Sequence, residues 1–314
     1  MNIRIYKLLK MNNYEQLVEK SMNGTIFHTK NYLLTKGVNN VLCIYNKEEI
    51  FAIFPLYENS ERKYQQLPME TPYGGIVVVK ELHNRHDYEY LREIYKLIIE
   101  YLKDNYIQID FSIIPINLDV FPFINENFIP EVRYTYIMDL TMSIEKIFLK
   151  MSSNRRRDYK KSFKENFIIN INNADLEISK ILFWVNDSYL KNRLEEEMKL
   201  LIDKKKGALL NIYNKNYGII GQLFLCWDWK CAYVQNVYVD KEYAKFGIST
   251  RLYIEAILYA KEILKVKKFD FNGSVLAGVE NYYRTFGGEQ QLYFNLHWME
   301  NHSELLKVDY YDYR

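Results

Sequence analysis

The chain has little cysteine, and what it has is arranged neither for disulfides nor for metal. Cys43, Cys226 and Cys231 are an odd number without ligand spacing, which reads as reduced thiols. Histidine is sparse too. His28, His83, His86, His297 and His302 are scattered, so no Cys/His cluster suggests zinc and no metal is expected. No window approaches the ~20 apolar residues of a membrane span. Residues 1–7 alternate like a strand and lack the apolar core and cleavage site of a signal peptide. A cytoplasmic protein is the expectation. Excess charge is missing as well. The formal net charge of +2 argues against a generalised nucleic-acid binder, yet leaves room for a local basic site. There is no Gly-x-Ser-x-Gly or Cys/His constellation for a covalent acyl-enzyme. Finally, no Pro/Gly-rich linker and no long heptad run divide or extend the chain.

What is present is enough apolar sequence for a real core. A chain of 314 residues fits one large domain or two ordinary ones. The first half reads as a strand at 3–8, helices at 13–22 and 29–36, and a hairpin of 41–45 with 50–57. A long helix follows at 85–103, with Leu91, Ile94, Tyr95, Ile98 and Leu102 on one stripe. A strand at 107–114, a helical turn at 120–125 and a strand at 132–140 complete it. The second half reads as a strand at 168–171, helices at 176–190 and 194–204, and a meander of strands at 209–213, 219–227 and 231–239. Then come a helix at 248–264, a strand at 267–271, a helix at 277–286 and a strand at 291–298.

The two halves share a spacing. Ile109-Asp110-Phe111 precedes Asn127-Phe128 and Tyr134-Thr135-Tyr136 much as Phe269-Asp270-Phe271 precedes Phe286-Gly287 and Tyr293-Phe294-Asn295. A shared element order with a shared anchor spacing suggests duplication. The expected division falls near residues 141–143, giving domains 1–140 and 141–314. Each should be a mixed, mostly antiparallel α/β (α+β) sheet flanked by helices.

Chemistry-bearing residues gather in the second half. Residues 152–164 carry three consecutive arginines among lysines. A serine or asparagine at their start can cap a helix, whose N–H groups and dipole favour anions. Arg155, Arg156 and Lys160 then make a credible diphosphate site; a solvated basic helix face is the plain alternative. Asp270 ends a strand at a sheet edge where ligands bind in open α/β folds. It could deprotonate or orient an amine, or merely cap the loop. Asn272, Gly273 and Ser274 beside it favour close approach of a ligand. In the first half, Tyr73 next to Gly74-Gly75 could stack on a sugar or base, and Lys30 at a helix start is a second phosphate candidate. Turn chemistry is the simpler account of both.

The block from Asp-Phe-Asn-Gly-Ser at 270–274 to Phe-Gly-Gly at 286–288, within its strand–helix–strand order, resembles the acyl-CoA-binding half of the GNAT N-acyltransferases. It is closer still to the branch of Fem-type peptidoglycan-bridge aminoacyltransferases and related tandem-GNAT acyltransferases. The resemblance implies two GNAT-like domains and direct acyl transfer to an amine. The donor would be acetyl-CoA or another acyl-CoA, with aminoacyl-tRNA the alternative. The acceptor would be a nucleotide-linked or lipid-linked amino sugar, whose phosphates face the basic helix. A GNAT scaffold that only binds its ligand is a further alternative. Lys245, Gly247, Ile248, Ser249 and Thr250 would hold the CoA pyrophosphate, although Ala244-Lys245 stands where that family has Arg-Gly. Val237 and Val239 would flank the donor and Asn236 the acceptor, with an N–H near 235–239 stabilising the oxyanion. Tyr282 or Tyr283 would protonate the leaving thiolate, and Asp270 would assist amine deprotonation.

Overall fold

The chain divides into two units, one comprising Met1–Arg133 with the stretch from Leu292, the other Tyr134–Gln291. They are seen in a computed structural model that describes residues 1–59, 63–79, 85–114, 119–171, 178–273 and 277–300. This differs from a single division near 141–143 in returning the chain from Leu292, most of the last described strand, to the first unit.

In the first unit, β1 (Asn2–Lys7) is followed by the helices α1 (Tyr14–Lys20) and α2 (Lys30–Thr35). Then come β2 (Asn40–Asn46) and β3 (Glu49–Leu56), a hairpin turned at Lys47, whose φ is 54°. Next are three short strands absent from the sequence reading, β4 (Glu58–Asn59), β5 (Tyr64–Gln66) and β6 (Val77–Val78). α3 (Arg85–Asn105), β7 (Gln108–Ile113), α4 (Phe121–Asn125) and the first part of β8 (Ile129–Asp139) complete the stretch. β1, β2, β3 and β6 form an antiparallel sheet, while β5 pairs in parallel with β7. α3 holds these layers together. Its stripe Leu91, Ile94, Tyr95, Ile98 and Leu102 is almost wholly buried. Each such side chain contributes roughly 1.5–3 kcal/mol.

The second unit takes the rest of β8, then α5 (Ile144–Lys150), α6 (Ser153–Lys161), β9 (Ile168–Ile171) and α7 (Ser188–Asp203). The meander is β10 (Gly207–Asn214), β11 (Gly218–Trp227) and β12 (Cys231–Val239). After it come α8 (Lys241–Ala244), α9 (Ile248–Glu262), β13 (Lys268–Asp270), α10 (Ala277–Arg284) and the start of β14 (Glu289–Met299). The strand order is β8-β13-β12-β11-β10-β9, antiparallel except for the parallel pair β12–β13. The helix expected at 176–190 does not form as such. Among the described residues there is only a 3-10 turn, Ile178–Lys180, before α7. α7 begins at Ser188 because the Asp187 carboxylate accepts from the Leu190 N–H at 2.6 Å and caps it there.

The final strands are exchanged. β8 follows α4 of the first unit, but its residues 137–139 pair with β13 of the second. β14 follows α10 of the second unit, and its residues 294–299 pair with β7 of the first. Among the described residues no helix is long and apolar enough to cross a membrane.

Candidate active site

The central feature is a place where two parallel strands part. β12 and β13 pair at Cys231–Lys268, Ala232–Phe269 and Tyr233–Asp270, and no further. On its other side β12 runs on beside β11, with a bulge. Leu225 opposes Val234 and Phe224 opposes Asn236, which leaves Gln235 as the extra residue. β13 turns away because Asn272 and Gly273 both adopt left-handed backbone, with φ of 64° and 63°. At Gly273 a Cβ would collide with the Tyr134 carbonyl, so only glycine fits. The far half of β12 is thus left without a strand partner on that edge among the described residues. Val237 and Val239 there are half-buried, and Asn236 is buried.

Asp270 lies at the root of this opening, 1% exposed. Its Oδ1 accepts from the Thr135 hydroxyl on β8 and from the Asn272 N–H at 2.8 Å. The carboxylate therefore fixes the turn at the end of β13. This corrects the expectation of a base facing an amine, since that oxygen is already engaged and out of water. Ser274 lies outside the described residues.

The Gly247 turn opens α9, with Asp240 capping the short α8 before it. Gly247 has a φ of 81° and offers no side-chain cap. A Cβ there would collide with the Asp158 carbonyl of α6, so the basic helix lies directly against this turn. Arg155 reaches from α6 to the first turn of α9. Its Nη1 donates to Thr250 Oγ1 at 2.9 Å, its Nη2 pairs with Asp158 at 3.2 Å, and its guanidinium stacks 4.3 Å from the centre of the Tyr282 ring. The Tyr282 hydroxyl is 3.0 Å from Thr250 Oγ1. Burial raises its pKa, against the hydrogen bonds of Ser249 and Thr250 that lower it. Ile248 is wholly buried, and Lys245 is exposed with its ammonium over the Phe246 ring. Tyr283 does not join this group. Its hydroxyl lies 3.2 Å from that of Tyr253, inside an aromatic cluster with Phe271 and Phe286.

The basic helix divides into scaffold and face. Ser152 is its N-cap, accepting from the Arg155 N–H at 3.3 Å. Arg156 does both: its Nη1 donates to the carbonyls of Phe148, Leu149 and Met151, tying down the C-terminal end of α5, while its side chain, half-buried, also lines the cleft beside the lysines. Arg157, Lys160, Lys161 and Lys164 are exposed and line a cleft of about 630 Å³. Two side chains missed in the sequence hold α6 in place. Arg251 donates to the carbonyls of Ser162 and Phe167, and Glu255 accepts from the Tyr159 hydroxyl at 3.2 Å. Both sit on the apolar-patterned α9, where a buried arginine at i and glutamate at i+4 is the one signal available.

The first-unit candidates do not gather. Lys30 gives its ammonium to the Met11 carbonyl at 2.7 Å. Tyr73 is buried edge-on against Phe27 and Tyr293, so it is no exposed stacking platform. Gly74 and Gly75 make room for Leu67 and for the Ser112 carbonyl. This unit also holds an ionic cluster that no local sequence pattern marks. His297 bonds Asp110 through Nδ1 and approaches Glu131 at 3.4 Å through Nε2, while Arg133 pairs with Glu131 at 2.7 Å. Burial opposes the imidazolium, but the two carboxylates prevail and raise its pKa to about 9.

Among known proteins, residues 178–287 match the family model "Acetyltransferase (GNAT) family". No curated protein matches the chain in sequence. Solved structures match the whole fold. One described as FemX superposes with a TM-score of 0.67 at 12% identity, covering 98% of this chain and all of that one. A tandem GNAT protein from the clavulanic acid biosynthesis pathway gives 0.59 at 7%, covering 94% and 98%. A GNAT-family acetyltransferase from Colwellia psychrerythraea gives 0.56 at 10%, covering 94% and 99%. The fold is a tandem GNAT fold of the Fem-like kind.

Proposed function

We propose that this tandem GNAT-fold acyltransferase moves an acyl group from acyl-CoA to the amino group of a phosphate-bearing acceptor, a nucleotide-linked or lipid-linked amino sugar. The observation that carries the reading is the parting of β12 from β13 at the start of the segment that leads to the Gly247 turn, with α6 packed through the Asp158 backbone against that turn and its lysines exposed. The edge of β12 beyond its pairing with β13 would turn backbone N–H groups toward a carbonyl. The first turn of α9 offers N–H groups and a dipole to a pyrophosphate, and Lys160, Lys161 and Lys164 offer cations to the acceptor phosphate.

In this reading the amine nitrogen attacks the acyl carbon. The C–N bond forms, an N–H on β12 between 235 and 239 steadies the oxyanion, and the C–S bond breaks as the thiolate leaves. Asp270 holds the turn that keeps the opening in shape, so the ammonium proton passes to solvent and the thiolate is protonated from there. Holding donor and acceptor together in the opening supplies much of the acceleration. A cytoplasmic site of action follows from such a donor.

One observation favours the other donor, aminoacyl-tRNA. Arg155 and the Asp158 carbonyl crowd the first turn of α9, and Ala244-Lys245 replaces the Arg-Gly of the CoA-using pattern. Calorimetry with acetyl-CoA and with CoA, followed by thiol release in the presence of UDP-glucosamine, decides between them. Binding with thiol release supports the proposal. No heat, but transfer from charged tRNA, moves the donor to the second reading.

A further inference from the structure

Two buried polar atoms at the mouth of the β12–β13 opening have no hydrogen-bond partner among the described residues, Gln235 Nε2 and Asn272 Oδ1. Their places are related. Tyr233 and Asp270 are the last pair of the parallel ladder, and Gln235 and Asn272 lie two residues further along each strand, just where the ladder has opened. Both sit on distorted backbone. Gln235 is the extra residue of the β12 bulge, and Asn272 has a φ of 64°. An ordinary strand would neither bulge nor twist here. A buried unpaired donor and a buried unpaired acceptor each cost stability, so two of them on neighbouring distortions call for a ligand that satisfies both.

We propose that Gln235 and Asn272 are a donor–acceptor pair that holds the two reacting groups. One amide N–H of Gln235 donates to the acyl oxygen, which becomes the oxyanion. The Asn272 carbonyl accepts an N–H of the incoming amine and turns its lone pair toward the acyl carbon. The chemistry matches in sense as well as number. A carbonyl needs a donor, an amine offers N–H, and these two side chains supply one of each with no partner among the described residues. Neither side chain takes the proton. Their contribution is orientation and charge stabilisation, so it is expressed in kcat more than in KM. The inference rests on the acyl-transfer reading and adds to it the side chains that address the reacting atoms.

Two variants of the full chain test it, Gln235→Leu and Asn272→Gly. Leucine removes the donor at similar volume, and glycine removes the acceptor while keeping the left-handed turn. The assay follows thiol release from acetyl-CoA with UDP-glucosamine, and product formation from charged tRNA, beside thermal melting of each protein. We expect kcat to fall about tenfold to a hundredfold in either variant, with KM for the amine little changed and melting temperature unchanged or higher. The double variant should lose little more than the worse single one, because the two act on one transition state. Full kcat in both variants overturns the pairing. So does a melting temperature lowered by several degrees with proportionate loss of activity, which would make the side chains structural. If the wild-type chain transfers from neither donor, the functional reading falls and takes this inference with it. If the wild type transfers and the variants keep pace, only the inference falls.

Discussion

In the second unit one strand does two jobs; in the first unit the same jobs are divided. β12 pairs with β11 along its length and with β13 at its start, so the opening beyond Asp270 has a continuous wall. In the first unit β6 pairs with β3, while β5 pairs in parallel with β7. The ten residues between β5 and β6 hold Tyr73, Gly74 and Gly75, which pack against Phe27, Leu67 and the Ser112 carbonyl. The aspartates at the shared spacing, Asp110 and Asp270, differ in the same way. Asp270 accepts a hydroxyl from Thr135 of the exchanged strand β8, and Asp110 pairs with His297 of the exchanged strand β14. One arrangement braces an opening. The other is an ion pair within a closed sheet. On the proposed reading, an opening of this kind depends on strand continuity at a single point, which the second unit has at β12 and the first unit divides between β5 and β6.

The largest effect should come from Asp270→Ala. It strands the Thr135 hydroxyl and the Asn272 N–H in a buried place, at a cost of about 3 kcal/mol. Hydrogen exchange should rise in β12 and β13 and stay unchanged in β1 to β3. Uniform loosening of both sheets would break the contrast drawn here.

Next in size is Lys160→Ala, which should raise the acceptor KM about tenfold or more with the melting curve unchanged, since the side chain is exposed. Lys30→Ala in the first unit should leave acceptor KM alone. Equal effects from both lysines would return the first unit to the active site.

His297 supplies a pH test. Its folded pKa is about 9 against an ordinary 6.5. A raised value means the stabilisation is complete below pH 6.5 and is lost as pH climbs through 9. The first unit should therefore lose about 2 kcal/mol between pH 7 and 9, and His297→Gln should flatten that slope. Thr135 cannot titrate, so the second unit has no counterpart at this position. Chemical denaturation at several pH values reads both.

The smallest effect expected is that of Tyr283→Phe, which removes one hydroxyl contact with Tyr253 and should cost about 0.5–1.5 kcal/mol without altering turnover. A large loss of kcat would restore Tyr283 as the acid.

Much of this was legible in the sequence where the signal is local. The α3 stripe repeats at helical spacing, and the five residues it names are all buried, with Ile99 buried beside them. The Ser152 cap, the β2–β3 hairpin and the Gly247 turn carry their signals within a few residues. What was not legible depends on partners far away. Arg156 looks like any basic surface residue until the end of α5 folds beneath it. Asp270 looks like a free carboxylate because Thr135 lies 135 residues earlier. The bulge at Gln235 leaves no mark in an alternating strand, since only the register against β11 reveals the extra residue. The strand exchange was invisible for the same reason, as β8 and β14 each have the alternation of a strand that could close its own unit.

That exchange has a consequence in the order of synthesis. The first unit needs residues 294–299 against β7, and the ribosome delivers them only after all of the second unit. Until then β7 waits with an unpaired edge, open to any other strand that comes by. The second unit, by contrast, receives its borrowed strand β8 before the rest of it is made. A nascent chain stopped after Gln291 would thus carry all of the second unit and an unfinished first one, the reverse of the usual vectorial order.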